Sequence, residues 1–131
     1  MLSIILALTA VDYSHLAKTI QVEAAKGTMD EYCVAVSVLN RVRSPHYPNT
    51  VADVVYAPGQ YQGFEYRNPR ANQTIVNRLK SEEGKKNLLK AYGIIGDRTD
   101  FKGQRMLKYR VASEDPMCHN KGNFYHYHWQ T

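Results

Sequence analysis

Several features that would assign this chain quickly are scarce or missing. Tryptophan occurs once, phenylalanine three times and cysteine twice in 131 residues. The apolar run that opens the chain, MLSIILALTA, is only ten residues, about half of what a helix needs to cross a bilayer. It also lacks the basic leader of a signal peptide, so the expectation is a buried N-terminal segment, with no membrane span and no signal peptide. No five basic residues are consecutive. The 17 Lys and Arg against 12 Asp and Glu give a net charge of +5 and a pI near 9.2, but they are scattered. That charge draws polyanions in general, and without a recognition motif no specific nucleic acid is expected. Cys33 sits in an apolar helical run and Cys118 lies far from it, which favours reduced, packed thiols. Cys118 adjoins His119, yet no second Cys/His pair stands at ligand spacing, so no metal is expected. With no internal repeat and no linker, residues 1–131 read as one domain large enough to bury a core.

What is present is helical first and strand-like last. Asp12 or Ser14 can cap a helix running to about Ala25, with Gly27 ending it. Thr28 and Glu31 then have the T-x-x-E spacing of a capping box. They would open a second helix to about Arg43, with Val34, Ala35, Val38, Leu39 and Val42 on its inward face. Pro45 and Pro48 stop that helix. Thr50 starts a short helix with Asp53 at its third position, and Pro58 and Gly59 end it. The loop from Gln60 to Pro69, rich in Tyr, Gln and Gly, is a candidate binding loop. Ala71–Lys80 and Glu82–Ile95 read as one interrupted helix or two, closed by Gly96. Two β-prone runs follow, Met106–Val111 and Asn123–Trp129, separated by a polar loop with Pro116 and Gly122, and they predict an antiparallel hairpin.

Glu23 stands at the joint of the first two long helices. A carboxylate on the last turn of a helix is held rigidly and points into the cleft that the turn opens. The negative end of the helix dipole also disfavours its ionised form, a useful setting for an acid catalyst.

The order of segments carries more information than any one of them. LAKTIQVEA is followed by Asn40, Arg41 and Val42, then Ser44, Tyr47, Pro48, Asn49, Thr50, Val51, Val54, Val55, Tyr56, Pro58 and Gly59. This resembles the SleB-like cell-wall hydrolases, with their E-A-x-G-E helix end, their NRV helix end and their Y-P-x-T-V…Y-x-P-G element. The likeness is strong from Leu16 to Tyr61. It is looser afterwards, where Asp97 to Asp100, the strand with Tyr109 and GNFYHY from Gly122 occupy the family's places. The resemblance implies an α+β, mainly helical, lysozyme-like domain with a small C-terminal β-hairpin. It further implies cleavage of the MurNAc-GlcNAc glycosidic bond of peptidoglycan, without a cofactor, by an acid that maps onto Glu23. The chain departs from the family in lacking the second Glu of E-A-x-G-E, and its spacing from Glu23 to Asn40 differs by a residue from the usual helix.

Ordinary glycosidases use two carboxylates about 5 to 10 Å apart. Asp30, Glu31, Asp53 and Glu65 read as caps or exposed charges, so a one-acid lytic transglycosylase is expected. Substrate contacts are expected from Gln60 and Tyr61 on one wall and from Tyr109, Tyr125 and His126 on the other. Strand alternation puts Tyr125 and Tyr127 on one face and His126 and His128 on the other. Asn40 and Arg41 are expected to close the second helix and brace the loop. The alternative reading is a virion or envelope structural protein that binds glycan with little or no turnover. The expected partners are peptidoglycan strands, reached outside the cytoplasm, and a bare domain of this kind suits a lysin carried in a phage virion.

Overall fold

The computed structural model describes residues 1–61, 69–104 and 115–128. Among them are six helices: α1 (Leu2–Ala7), α2 (Ala10–Glu23), α3 (Asp30–Arg43), α4 (Val51–Val55), α5 (Gln73–Lys80) and α6 (Glu82–Ile95). Two short strands, β1 (Asp100–Lys102) and β2 (Phe124–His126), form an antiparallel pair. The α+β, mainly helical architecture is thus as expected. The second strand lies inside the expected run, but its partner, Asp100–Lys102, is a segment that was not expected as a strand, and the expected Met106–Val111 falls outside the described residues.

α3 is the axis of the fold. Every residue from Asp30 to Arg41 is buried, as a helix packed on all sides requires, and α2, α4 and α6 lie against it. The core joins Leu16, Ala17 and Ile20 of α2 to Val34, Val38 and Leu39 of α3, Val54 of α4 and Leu88 and Ile95 of α6. The N-terminal run forms α1, which buries Ile5 but leaves Leu2 and Leu6 exposed. None of the described helices is long and apolar enough to cross a membrane.

Helix boundaries follow their caps. α2 starts earlier than expected, because Thr9 is its N-cap and Asp12 is the third-position partner in a reciprocal capping box. Thr50 caps α4 by accepting from the Asp53 N–H at 3.1 Å. Asn72 and Ser81 cap α5 and α6 separately, so the ambiguous helical stretch is two helices, and Gly96 closes α6 at a positive φ of 60°.

Two expectations are corrected. Thr28 and Glu31 make no capping box. The N-cap of α3 is Met29, and Glu31 is instead buried in an ion pair with Arg78 of α5 at 2.8 Å. The cysteines are not reduced thiols: Cys33 and Cys118 form a disulfide. It fastens the segment before β2 to the middle of the fold, a pairing that local context around Cys33 could not reveal.

Candidate active site

α2 ends two residues sooner than expected, on Glu23 itself, and its last turn is held from two sides. The Ala24 N–H closes the final helical bond to the Ile20 carbonyl at 3.0 Å, after which Ala24 turns extended. The Glu23 carbonyl, one of the acceptors that a helix end leaves without an internal donor, accepts from Asn123 Nδ2 at 2.9 Å. On the other side, Gln21 donates to the Arg70 carbonyl at 2.8 Å and accepts from the Asn72 N–H at 2.7 Å. Gly27, at φ 75°, then lets the chain reverse into α3.

The turn opens a cleft of about 580 Å3. Glu23, Arg41, Gln60, Tyr61, Asp100, Lys102 and Asn123 are among its lining residues. A smaller cavity of about 340 Å3, which also touches Glu23 and Asn123, continues past Lys121. Glu23 therefore stands where two open spaces meet.

Arg41 organises the wall opposite. Its Nε donates to the Thr99 carbonyl and its Nη1 to Gln60 Oε1, both at 2.8 Å. Its Nη2 lies 3.5 Å from Asp100 Oδ1, and its guanidinium covers the rings of Tyr47 and Tyr61. The residue thus braces the loop as expected, and it also faces the cleft. Asp100 Oδ1 further accepts from the Thr99 hydroxyl at 2.8 Å and the Tyr47 hydroxyl at 3.1 Å. Burial works to raise the Asp100 pKa, but these hydrogen bonds and the Arg41 charge outweigh it and hold the carboxyl below its ordinary value.

Glu23, Gln60 and Tyr61 come together in one cleft, as the sequence suggested. Gln60 is exposed and has its amide oxygen fixed by Arg41. Tyr61 is only 3% exposed and offers the cleft little more than a ring edge. Burial first, then the nearby Glu23 and Asp100 charges, push its phenol up to about 12 against the pull of Arg41, so it remains neutral.

Tyr125 and His126 lie beneath the cleft. Both are buried, and the Tyr125 hydroxyl donates to Asp30 Oδ1 at 2.7 Å. Tyr125 and His126, on opposite faces of β2, are both buried, while Tyr127 is partly buried and His128 is exposed. Phe101 packs between Tyr61 and Tyr125, forming an aromatic row under the floor. Burial lowers the His126 pKa. Tyr109 lies outside the described residues, as do Glu65 and most of the loop after Tyr61.

Sequence reasoning passed over Asp100, Asn123 and Asp30 as site residues. Asp100 and Asn123 fell inside segments already noted, the Asp-rich turn and the GNFYHY run. Asp30 read as a helix-start charge and is instead fully buried. Among the described residues no group of three or more His, Cys, Asp or Glu could hold a metal ion.

The chain is a lysozyme-like, mainly helical domain with a carboxylate at a helix end, set in an open cleft. A family model for cell wall hydrolases matches residues 25–127, and the chain belongs to that family. Two solved structures share the fold. The catalytic domain of the Bacillus cereus SleB protein is 20% identical with a TM-score of 0.55, covering 89% of this chain and 90% of its own. The catalytic domain of the germination-specific lytic transglycosylase SleB from Bacillus anthracis is 20% identical with a TM-score of 0.53, covering 90% of this chain and 95% of its own. No curated protein sequence matches. Family membership supports peptidoglycan as the substrate and agrees with action outside the cytoplasm. The matched span begins two residues after Glu23 and does not include it.

Proposed function

We propose that the protein cleaves the MurNAc-GlcNAc bond of peptidoglycan as a lytic transglycosylase, with Glu23 as its acid and base. The observation that carries this reading is the placement of Glu23 on the last residue of α2, at the mouth shared by two cavities and facing a wall of Arg41, Gln60 and Tyr61. The protonated Glu23 carboxyl gives its proton to the bridging oxygen as the C1–O bond breaks, and GlcNAc leaves with a free 4-hydroxyl. The resulting carboxylate then takes the proton of the MurNAc 6-hydroxyl, whose oxygen closes onto C1. No water is consumed, the product is a 1,6-anhydro end, and Glu23 regains its proton.

Asp100 lines the same cleft and supports a second reading, in which water replaces the 6-hydroxyl and the protein is a muramidase. Its bonding argues against that role. Oδ1 already meets Thr99, Tyr47 and Arg41, and a carboxylate held so firmly in its ionised form is a weak base and a weak nucleophile. The two readings predict products that differ by one water, so mass spectrometry of released muropeptides decides between them. Purified protein that binds peptidoglycan but releases nothing would instead favour a glycan-binding structural role.

A further inference from the structure

Asp30 opens α3 with no exposed surface, and its carboxylate meets four uncharged donors. On Oδ1 these are the Tyr125 hydroxyl at 2.7 Å and the Asn123 N–H at 3.3 Å. On Oδ2 they are Asn123 Nδ2 at 2.8 Å and, more distantly, the Ala25 N–H at 3.5 Å. Gly122 packs so tightly against this group that a Cβ there would fall 2.7 Å from the Asp30 Cγ. Taking a carboxylate out of water is unfavourable even when it is well hydrogen-bonded, and the positive end of α3 offsets only part of that cost. A residue that did no more than join these elements could be neutral.

The same Asn123 amide that donates to Asp30 also donates to the Glu23 carbonyl. Asp30, Asn123 and the last turn of α2 thus form one relay ending at the proposed acid.

We propose that Asp30 is the positioning residue of Glu23: through Asn123 it fixes the end of α2, and its buried negative charge favours the protonated Glu23 carboxyl that bond cleavage requires. The proposal rests on Glu23 being the acid. Among the described residues, the other groups facing Glu23 include Arg41 from α3, Tyr61 from the loop after α4, Asp100 and Lys102 from β1, and Lys121 and Tyr125 from the β2 segment. Arg41 is bound to Asp100, and burial keeps both tyrosines neutral. Among the described residues, Lys102 and Lys121 line the cavities at Glu23 as cations against which Asp30 acts.

The test is the pH profile of peptidoglycan lysis by wild type, Glu23→Gln and Asp30→Asn, with thermal unfolding of each. A general acid is lost as pH rises through its pKa. Removing the negative charge of Asp30 therefore moves the basic limb to lower pH, by on the order of one unit. A merely structural role would lower rate and stability and leave the limb in place, and that outcome overturns the proposal. Glu23→Gln keeps the two claims apart: an active Glu23→Gln protein sinks the acid assignment, whereas an inactive one together with an unmoved Asp30→Asn limb sinks only the role of Asp30. Should Asp30→Asn not fold, carboxyl carbon NMR of glutamate-labelled wild type decides, with the Glu23 signal identified by its loss in Glu23→Gln. Titration above the ordinary glutamate value of about 4.3 supports the proposal, and titration at or below it overturns the proposal.

Discussion

Reduction of the Cys33–Cys118 disulfide should cost this protein a large part of its stability. The bond joins residues 85 apart in sequence, and closing a loop of that length in the unfolded chain corresponds to about 4.6 kcal/mol on the chain-entropy account. Native domains are stable by only about 5–15 kcal/mol. Cys33 is fully buried in α3, while Cys118 precedes the turn that carries Asn123 and β2. The loss should therefore also loosen the segment that holds the Glu23 carbonyl. At roughly 2 cal/mol/K of unfolding entropy per residue, about 4.6 kcal/mol lowers Tm by about 17 °C for a chain of this size. The assay is thermal unfolding followed by circular dichroism, with and without reductant, against a Cys33→Ala/Cys118→Ala protein that reductant should leave unchanged. Thiol titration of the denatured, unreduced protein should find no free thiol. Two free thiols there, or a Tm unmoved by complete reduction, would refute the reasoning.

Two further outcomes follow from the cleft wall and its charges. Arg41→Met removes the bonds to Thr99 and Gln60 and the Asp100 ion pair together; urea unfolding should show a loss of roughly 3–5 kcal/mol, as for other broken buried pairs, and a loss below about 1 kcal/mol would contradict the bracing role. Stability should also fall with acid in two stages. The folded pKa of His126 lies below its ordinary 6.5 through burial, so the unfolded state binds the extra proton first and stability is lost as pH drops below that value. The folded pKa of Asp100 lies below its ordinary value despite burial, because Thr99, Arg41 and Tyr47 stabilise the ion, so its contribution is present above the carboxylate range and lost on descending through it. Asp100→Asn should remove the lower stage in a denaturant series at stepped pH, and wild-type stability that stays flat through both ranges would refute the assignment.

The parts of the fold legible in sequence are those set by neighbours along the chain. The apolar spacing of α3, the Thr50 cap of α4 and the stop at Gly96 all depend on residues within a turn or two. Distant partners overrode local pattern elsewhere. Thr28 and Glu31 have the spacing of a capping box, but Arg78, 47 residues on, claims the glutamate. Asp30 looks like an exposed helix-start charge until Asn123 and Tyr125, more than 90 residues later, fold over it. The position of Glu23 at a helix end was readable because helix and break are both local. The Asn123 bond that holds that end was not, for the same reason that the disulfide was not.

The most direct measurement of the central claim is the mass of the muropeptides released from purified peptidoglycan by wild type and by Glu23→Gln. The account predicts 1,6-anhydro ends from wild type, lighter by one water than reducing ends, and no release above background from Glu23→Gln. Reducing ends from wild type would contradict transglycosylation, and release by Glu23→Gln at the wild-type rate would contradict the assignment of Glu23 as the acid.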